Sequence, residues 1–99
     1  MEESMKILAI CGMGLGSSMI LKITLEKVIR KLGIDATVDV TDITVGRGQA
    51  DSVDIVVTSE ELAERIGGVK AKIITVKDYF NVDEMTEKLQ NAIEQIKKE

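Results

Sequence analysis

Two hydrophobic rhythms alternate along the chain: short aliphatic runs, and longer stretches with apolar residues at helical intervals. Met5 to Ile10 is short, aliphatic and without clean alternation, which predicts a buried parallel strand. The following pattern predicts a helix from Ser17 or Ser18, either of which can cap it, to about Leu32, with Gly33 as the stop. On a wheel of about 100° per residue, Leu21, Leu25, Val28, Ile29 and Leu32 share one face, and Lys22, Glu26, Lys27, Arg30 and Lys31 lie off it. Met19 and Ile23 sit together away from that stripe, and Ile20 lies on its other side. They either pack against neighbouring loops or form a docking surface for another protein.

Ile34 to Val40 alternates, with Ala36, Val38 and Val40 set against Thr37, Asp39 and Thr41. A half-polar strand of this kind suits a sheet edge. Thr41 to Ser52 is polar and contains Gly46-Arg47-Gly48, which predicts a loop or short irregular crossover with no assignable helix. Asp54 to Thr58 is a third strand with Ile55, Val56 and Val57 buried. Thr58 and Glu61 have capping-box spacing before a short helix that ends at Gly67-Gly68. Ala71 to Val76 is the fourth strand, and Lys77 to Phe80 is a loop holding both aromatic residues. Asn81 with Glu84 again has capping-box spacing. The last helix carries Val82, Met85, Leu89, Ala92, Ile93 and Ile96 as a core stripe.

Strands alternating with helices, without an internal repeat, predict an α/β protein: a small three-layer fold with a four-stranded parallel sheet. The expected order is 2-1-3-4, which leaves the half-polar second strand at an edge. The switch point then falls between the first and third strands, where ligands bind beyond the carboxyl ends. Cys11 emerges there, and Thr58-Ser59 and Lys77-Asp78-Tyr79 open onto the same edge.

Composition narrows the function. The 99 residues are expected to form one domain, 1–99. With aromatics at 2%, the core must be aliphatic. A net charge of −4 argues against a nucleic-acid partner. No apolar run approaches the roughly 20 residues that span a bilayer, and Met1 to Ser4 has the wrong charge for a signal peptide, so a cytoplasmic location without membrane insertion is expected. Histidine is absent, which removes Cys-His and Ser-His-Asp catalysis within the chain and His-ligated metal sites; neither metal nor cofactor is expected.

The candidate chemistry lies in Cys11-Gly12-Met13-Gly14-Leu15-Gly16-Ser17-Ser18, between the first strand and the first helix. A glycine-rich loop at a helix N-terminus presents N–H groups to an anion. The dinucleotide fingerprint fails because the third glycine comes one residue early. A nucleotide phosphate loop fails because the glycine and lysine it needs are missing. Small tyrosine phosphatases, on a similar fold, place an arginine where Ser17 stands; that arginine stabilises the transition state. A cradle and a nucleophile remain, which fits a phosphate carrier: Cys11 takes a phosphoryl group and passes it on. The reactive form is the thiolate, and a helix N-terminus lowers a thiol from its free pKa of about 8.5. Taken alone, Cys11 reads as a small buried apolar residue; the glycines and serines at a switch point shift the balance to function.

These residues resemble the IIB components of the bacterial phosphoenolpyruvate-dependent sugar phosphotransferase system, over nearly the whole chain from Lys6. The ascorbate group within the lactose/ascorbate/galactitol superfamily shares the pattern seen in Cys11 to Met19, whereas galactitol-type members usually carry Ala-Thr-Ser where Gly16-Ser17-Ser18 stand. The resemblance implies a fold like low-molecular-weight tyrosine phosphatase. It implies phosphorylation of Cys11 by a phosphohistidine on a IIA protein, and transfer to a sugar, ascorbate, held by the membrane IIC transporter. Gly12, Met13, Gly14, Leu15, Gly16, Ser17 and Ser18 become the phosphate-binding loop. From the helix wheel, Met13, Leu15, Met19 and Ile23 are expected to form the surface on which IIA and IIC dock in turn. The alternatives are a galactitol- or pentitol-type IIB, or a non-catalytic anion-binding regulatory module.

Overall fold

A computed structural model describes residues 5–11, 15–77 and 81–98. In chain order the elements are β1 (Met5–Cys11), α1 (Leu15–Leu32), β2 (Ala36–Asp42), α2 (Ile43–Gln49) with a 3-10 turn at Ala50–Ser52, β3 (Ile55–Thr58), α3 (Glu60–Ile66), β4 (Lys72–Thr75) and α4 (Val82–Lys98). The four strands are parallel in the order β2-β1-β3-β4, as the pattern predicted.

Alternate residues of the strands enter opposite layers. Ile7, Ala9 and Cys11 of β1 join Ile55, Val57 and Ile74 against Leu21, Leu25 and Val28 of α1 and Met85, Leu89 and Ile93 of α4. Leu8, Ile10 and Val56 join Leu62 and Ile66 of α3, with Ala50, on the other face. β2 is the half-polar edge: Ala36, Val38 and Val40 are half-buried while Thr37 and Asp39 are exposed. At the other edge, the Lys88 ammonium donates to the Thr75 carbonyl and pairs with Glu84, placing a charge beside β4.

Several boundaries differ from the sequence reading, each for a local reason. β2 starts at Ala36, not Ile34, because the end of α1 wraps through Gly33 at φ 67° and the Ile34 N–H still donates to the Ile29 carbonyl. Within the polar stretch 41–52, β2 runs on through Asp42 and the rest is helical: Asp42 caps α2 by accepting from the Val45 N–H at 3.0 Å. Gly46 does not interrupt α2, since it lies where a Cβ would stand 2.7 Å from Ile10 Cδ1. Thr58 is not the cap of α3; Ser59 takes that place, accepting from the Leu62 N–H at 3.3 Å. Asn81 caps α4 as predicted, accepting from the Glu84 N–H at 2.9 Å.

Candidate functional site at the end of β1

Cys11 is the last residue of β1, only 3% exposed, in register with Asp42 of β2. Its side chain belongs to the layer formed with α1 and α4, while Ile10 before it belongs to the opposite layer. The chain holds no other cysteine, and Cys11 is not in a disulfide.

α1 starts at Leu15, so Ser17 and Ser18 stand inside its first turn rather than at the cap. The first N–H groups of a helix have no intrahelical acceptor, and together with the helix dipole they favour an anion at that end. Leu15, Gly16, Ser17 and Ser18 therefore contribute backbone of the first turn; their side chains lie outside the described structure. Gly12, Met13 and Gly14 also lie outside the described residues, as do Asp78, Tyr79 and Phe80.

One turn further along α1, Met19 is 64% exposed and Ile23 49%, so these two do not pack into the fold. Ile20 is half-buried, and the buried Thr24 hydroxyl donates back to the Ile20 carbonyl at 2.9 Å. The predicted stripe is the inner face: Leu21, Leu25 and Val28 are buried, with Ile29 and Leu32 packed at its edge.

Two features of this end of the sheet escaped the sequence reading. Thr58, at the end of β3, is fully buried and its hydroxyl donates to the Ile10 carbonyl at 2.7 Å. The only hint was its place at a strand end, which capping-box spacing attributed to the helix beyond. The second is Asp42, whose exposed carboxylate caps α2 beside the strand end that carries Cys11. The position of a cap before three β-branched residues, Ile43, Thr44 and Val45, was masked by their strand-like character. Val45 is a further exposed apolar residue here, at 50%.

Residues 6–91 match the family described as "PTS system, Lactose/Cellobiose specific IIB subunit". The chain belongs to the PTS IIB family. Its relatives include the ascorbate-specific PTS system EIIB component of Mycoplasma pneumoniae, 32% identical over 93% of this chain and 98% of that protein. The protein of the same description from Salmonella typhimurium is 28% identical over 93% of this chain and 92% of its own length. Among solved structures, the cellobiose-specific IIB component of Borrelia burgdorferi aligns with a TM-score of 0.63 at 27% identity, covering 94% of each chain. The lactose-specific IIB domain of Streptococcus pneumoniae shares the fold, with a TM-score of 0.59 at 16% identity over 93% of this chain and 97% of that one. PTS IIB domains are phosphotransferases that work with IIA and IIC components. Among the described residues no helix is long and apolar enough to cross a membrane.

Proposed function

We propose that this IIB domain carries a phosphoryl group on Cys11 between a phosphorylated IIA protein and a sugar bound by a membrane IIC transporter, on the cytoplasmic side. The observation that carries this reading is the position of the sole thiol of a PTS IIB chain. It stands at the carboxyl end of β1, at the switch point, just ahead of the N-terminal turn of α1. The Cys11 thiolate attacks phosphorus on the donor phosphohistidine; a sulfur–phosphorus bond forms, the phosphorus–nitrogen bond breaks, and the imidazole leaves and takes up a proton. In the second step a sugar hydroxyl attacks phosphorus, the thiolate leaves, and the hydroxyl proton passes to the acceptor site or solvent.

Backbone N–H groups of the loop Gly12 to Ser18 would hold the phosphoryl oxygens in both steps. The donor histidine must come from another chain, since this one has none. Met13, Leu15, Met19 and Ile23 are the surface we assign to docking. Ascorbate is the assigned sugar, because ascorbate-specific relatives match over nearly the whole chain.

Incubation with phosphoenolpyruvate and the general and IIA donor proteins, followed by intact-mass measurement, tests the carrier reading. One added phosphoryl group that disappears in Cys11→Ser is the expected result. No addition, or addition that survives Cys11→Ser, overturns it. Comparing ascorbate-, galactitol- and lactose-type IIA proteins as donors then tests the sugar assignment.

A further inference from the structure

On the β2 side, pairing with β1 runs through Cys11, which is in register with Asp42. On the β3 side it ends earlier, at Ala9 and Val57. Beyond that pair the two chains part: β1 leads to α1 on one face, and β3 leads to α3 on the other. Across the parting, the Thr58 hydroxyl donates to the Ile10 carbonyl at 2.7 Å, between two fully buried residues.

That carbonyl shares a rigid peptide plane with the Cys11 N–H. Turning the carbonyl therefore turns the plane from which Cys11 starts, and with it the direction of its Cα–Cβ bond. The Ile10 side chain is held as well: Gly46 of α2 approaches so closely that a Cβ there would stand 2.7 Å from Ile10 Cδ1. Ile10 is thus gripped through its side chain by α2 and through its carbonyl by Thr58.

We propose that Thr58 is a positioning residue for phosphoryl transfer, its hydroxyl setting the peptide plane from which Cys11 projects. The proposal rests on the reading of Cys11 as the phosphoryl acceptor. In-line displacement is sensitive to small misplacements of the nucleophile, which gives a hydroxyl one residue away leverage on the rate without contact with the donor.

Thr58→Val removes the hydroxyl and keeps the shape; Thr58→Ser keeps the hydroxyl. Two readouts are needed: steady-state phosphoryl transfer from a IIA donor through Cys11 to sugar in membranes that hold the IIC transporter, and titration of the Cys11 thiol by its 13Cβ chemical shift. For Thr58→Val, kcat is expected to fall about tenfold or more with KM for the donor within about twofold. The thiol titration is expected to move up by about half a pH unit or more as the Cys11 side chain turns relative to the N-terminal turn of α1. Thr58→Ser should recover most of both.

Thr58→Val matching the wild type in kcat and titration overturns the proposal, as does Thr58→Ser failing as badly as Thr58→Val. If Thr58→Val does not fold, Thr58→Ala is judged by the same outcomes. A wild-type protein that takes no phosphoryl group sinks the carrier reading, and the titration arm then decides the role of Thr58 alone.

Discussion

Thr58 and Ile10, 48 positions apart in sequence, are joined by a hydrogen bond of 2.7 Å at the carboxyl ends of β3 and β1. Both are fully buried, so water cannot replace the bond if it is lost. A buried carbonyl without a partner costs about 1–3 kcal/mol. Thr58→Val should therefore lower the unfolding free energy by about that amount, with Thr58→Ser losing less. Urea denaturation of the three proteins checks this, and a Thr58→Val protein as stable as the wild type would show that the carbonyl finds another donor.

The two glycines of α2 should respond in opposite directions. A methyl at Gly46 meets Ile10 Cδ1 at 2.7 Å and Thr41 Cγ2 at 3.0 Å, both side-chain atoms of the sheet. Overpacking of this kind costs about 1–3 kcal/mol, so Gly46→Ala should melt well below the wild type. At Gly48 nothing lies within 4 Å of the added methyl. Gly48→Ala should stabilise, by up to about 1 kcal/mol, through restricted freedom of the unfolded chain. Thermal melts of the pair decide it; equal melting points would refute the close approach of α2 to β1.

Met19 and Ile23 make a separable test of docking. With 64% and 49% of their surfaces in water, they contribute little to the core. The double substitution Met19→Ser and Ile23→Ser should change stability by no more than about 1 kcal/mol, while KM for the phosphorylated donor rises about tenfold or more. Unchanged KM would remove this face of α1 from the docking surface. Leu25→Ala is the contrasting control: 1% exposed on the same helix, it should cost about 2–5 kcal/mol.

The caps of α3 and α4 also divide cleanly. Ser59 and Asn81 accept from the N–H groups of Leu62 and Glu84. Replacing either by Ala should cost about 1 kcal/mol. Glu61, the assumed capping partner of Thr58, should be replaceable by Ala at a cost below about 0.5 kcal/mol, because Thr58 is engaged with Ile10 instead. Denaturation midpoints across these variants test the reassignment.

Most of the architecture is legible in the amino-acid sequence. β1 and β3 must be buried on both faces because they lack polar alternation, and β2 must be an edge because it has it. The inner stripe of α1 and that of α4 follow from helical spacing. The helix over Ile43–Gln49 was illegible because β-branched residues and two glycines argue locally against helix. Its cap and its packing on Ile10 outweigh those preferences.

At the site, the chain order of Cys11, the glycines and the serines is the local basis for the anion cradle with a thiol that we propose, lacking the phosphatase arginine. That is a property of neighbours in sequence, and short-range spacing carries it. The tertiary structure alone decided that Thr58 belongs to Ile10 rather than to α3, and that Met19 and Ile23 face water. It also decided that Gly46 lies against the residue before the thiol. Each of these depends on which strand ends and helices lie side by side, and a hydrogen bond or van der Waals contact between distant residues leaves no periodic trace in the chain.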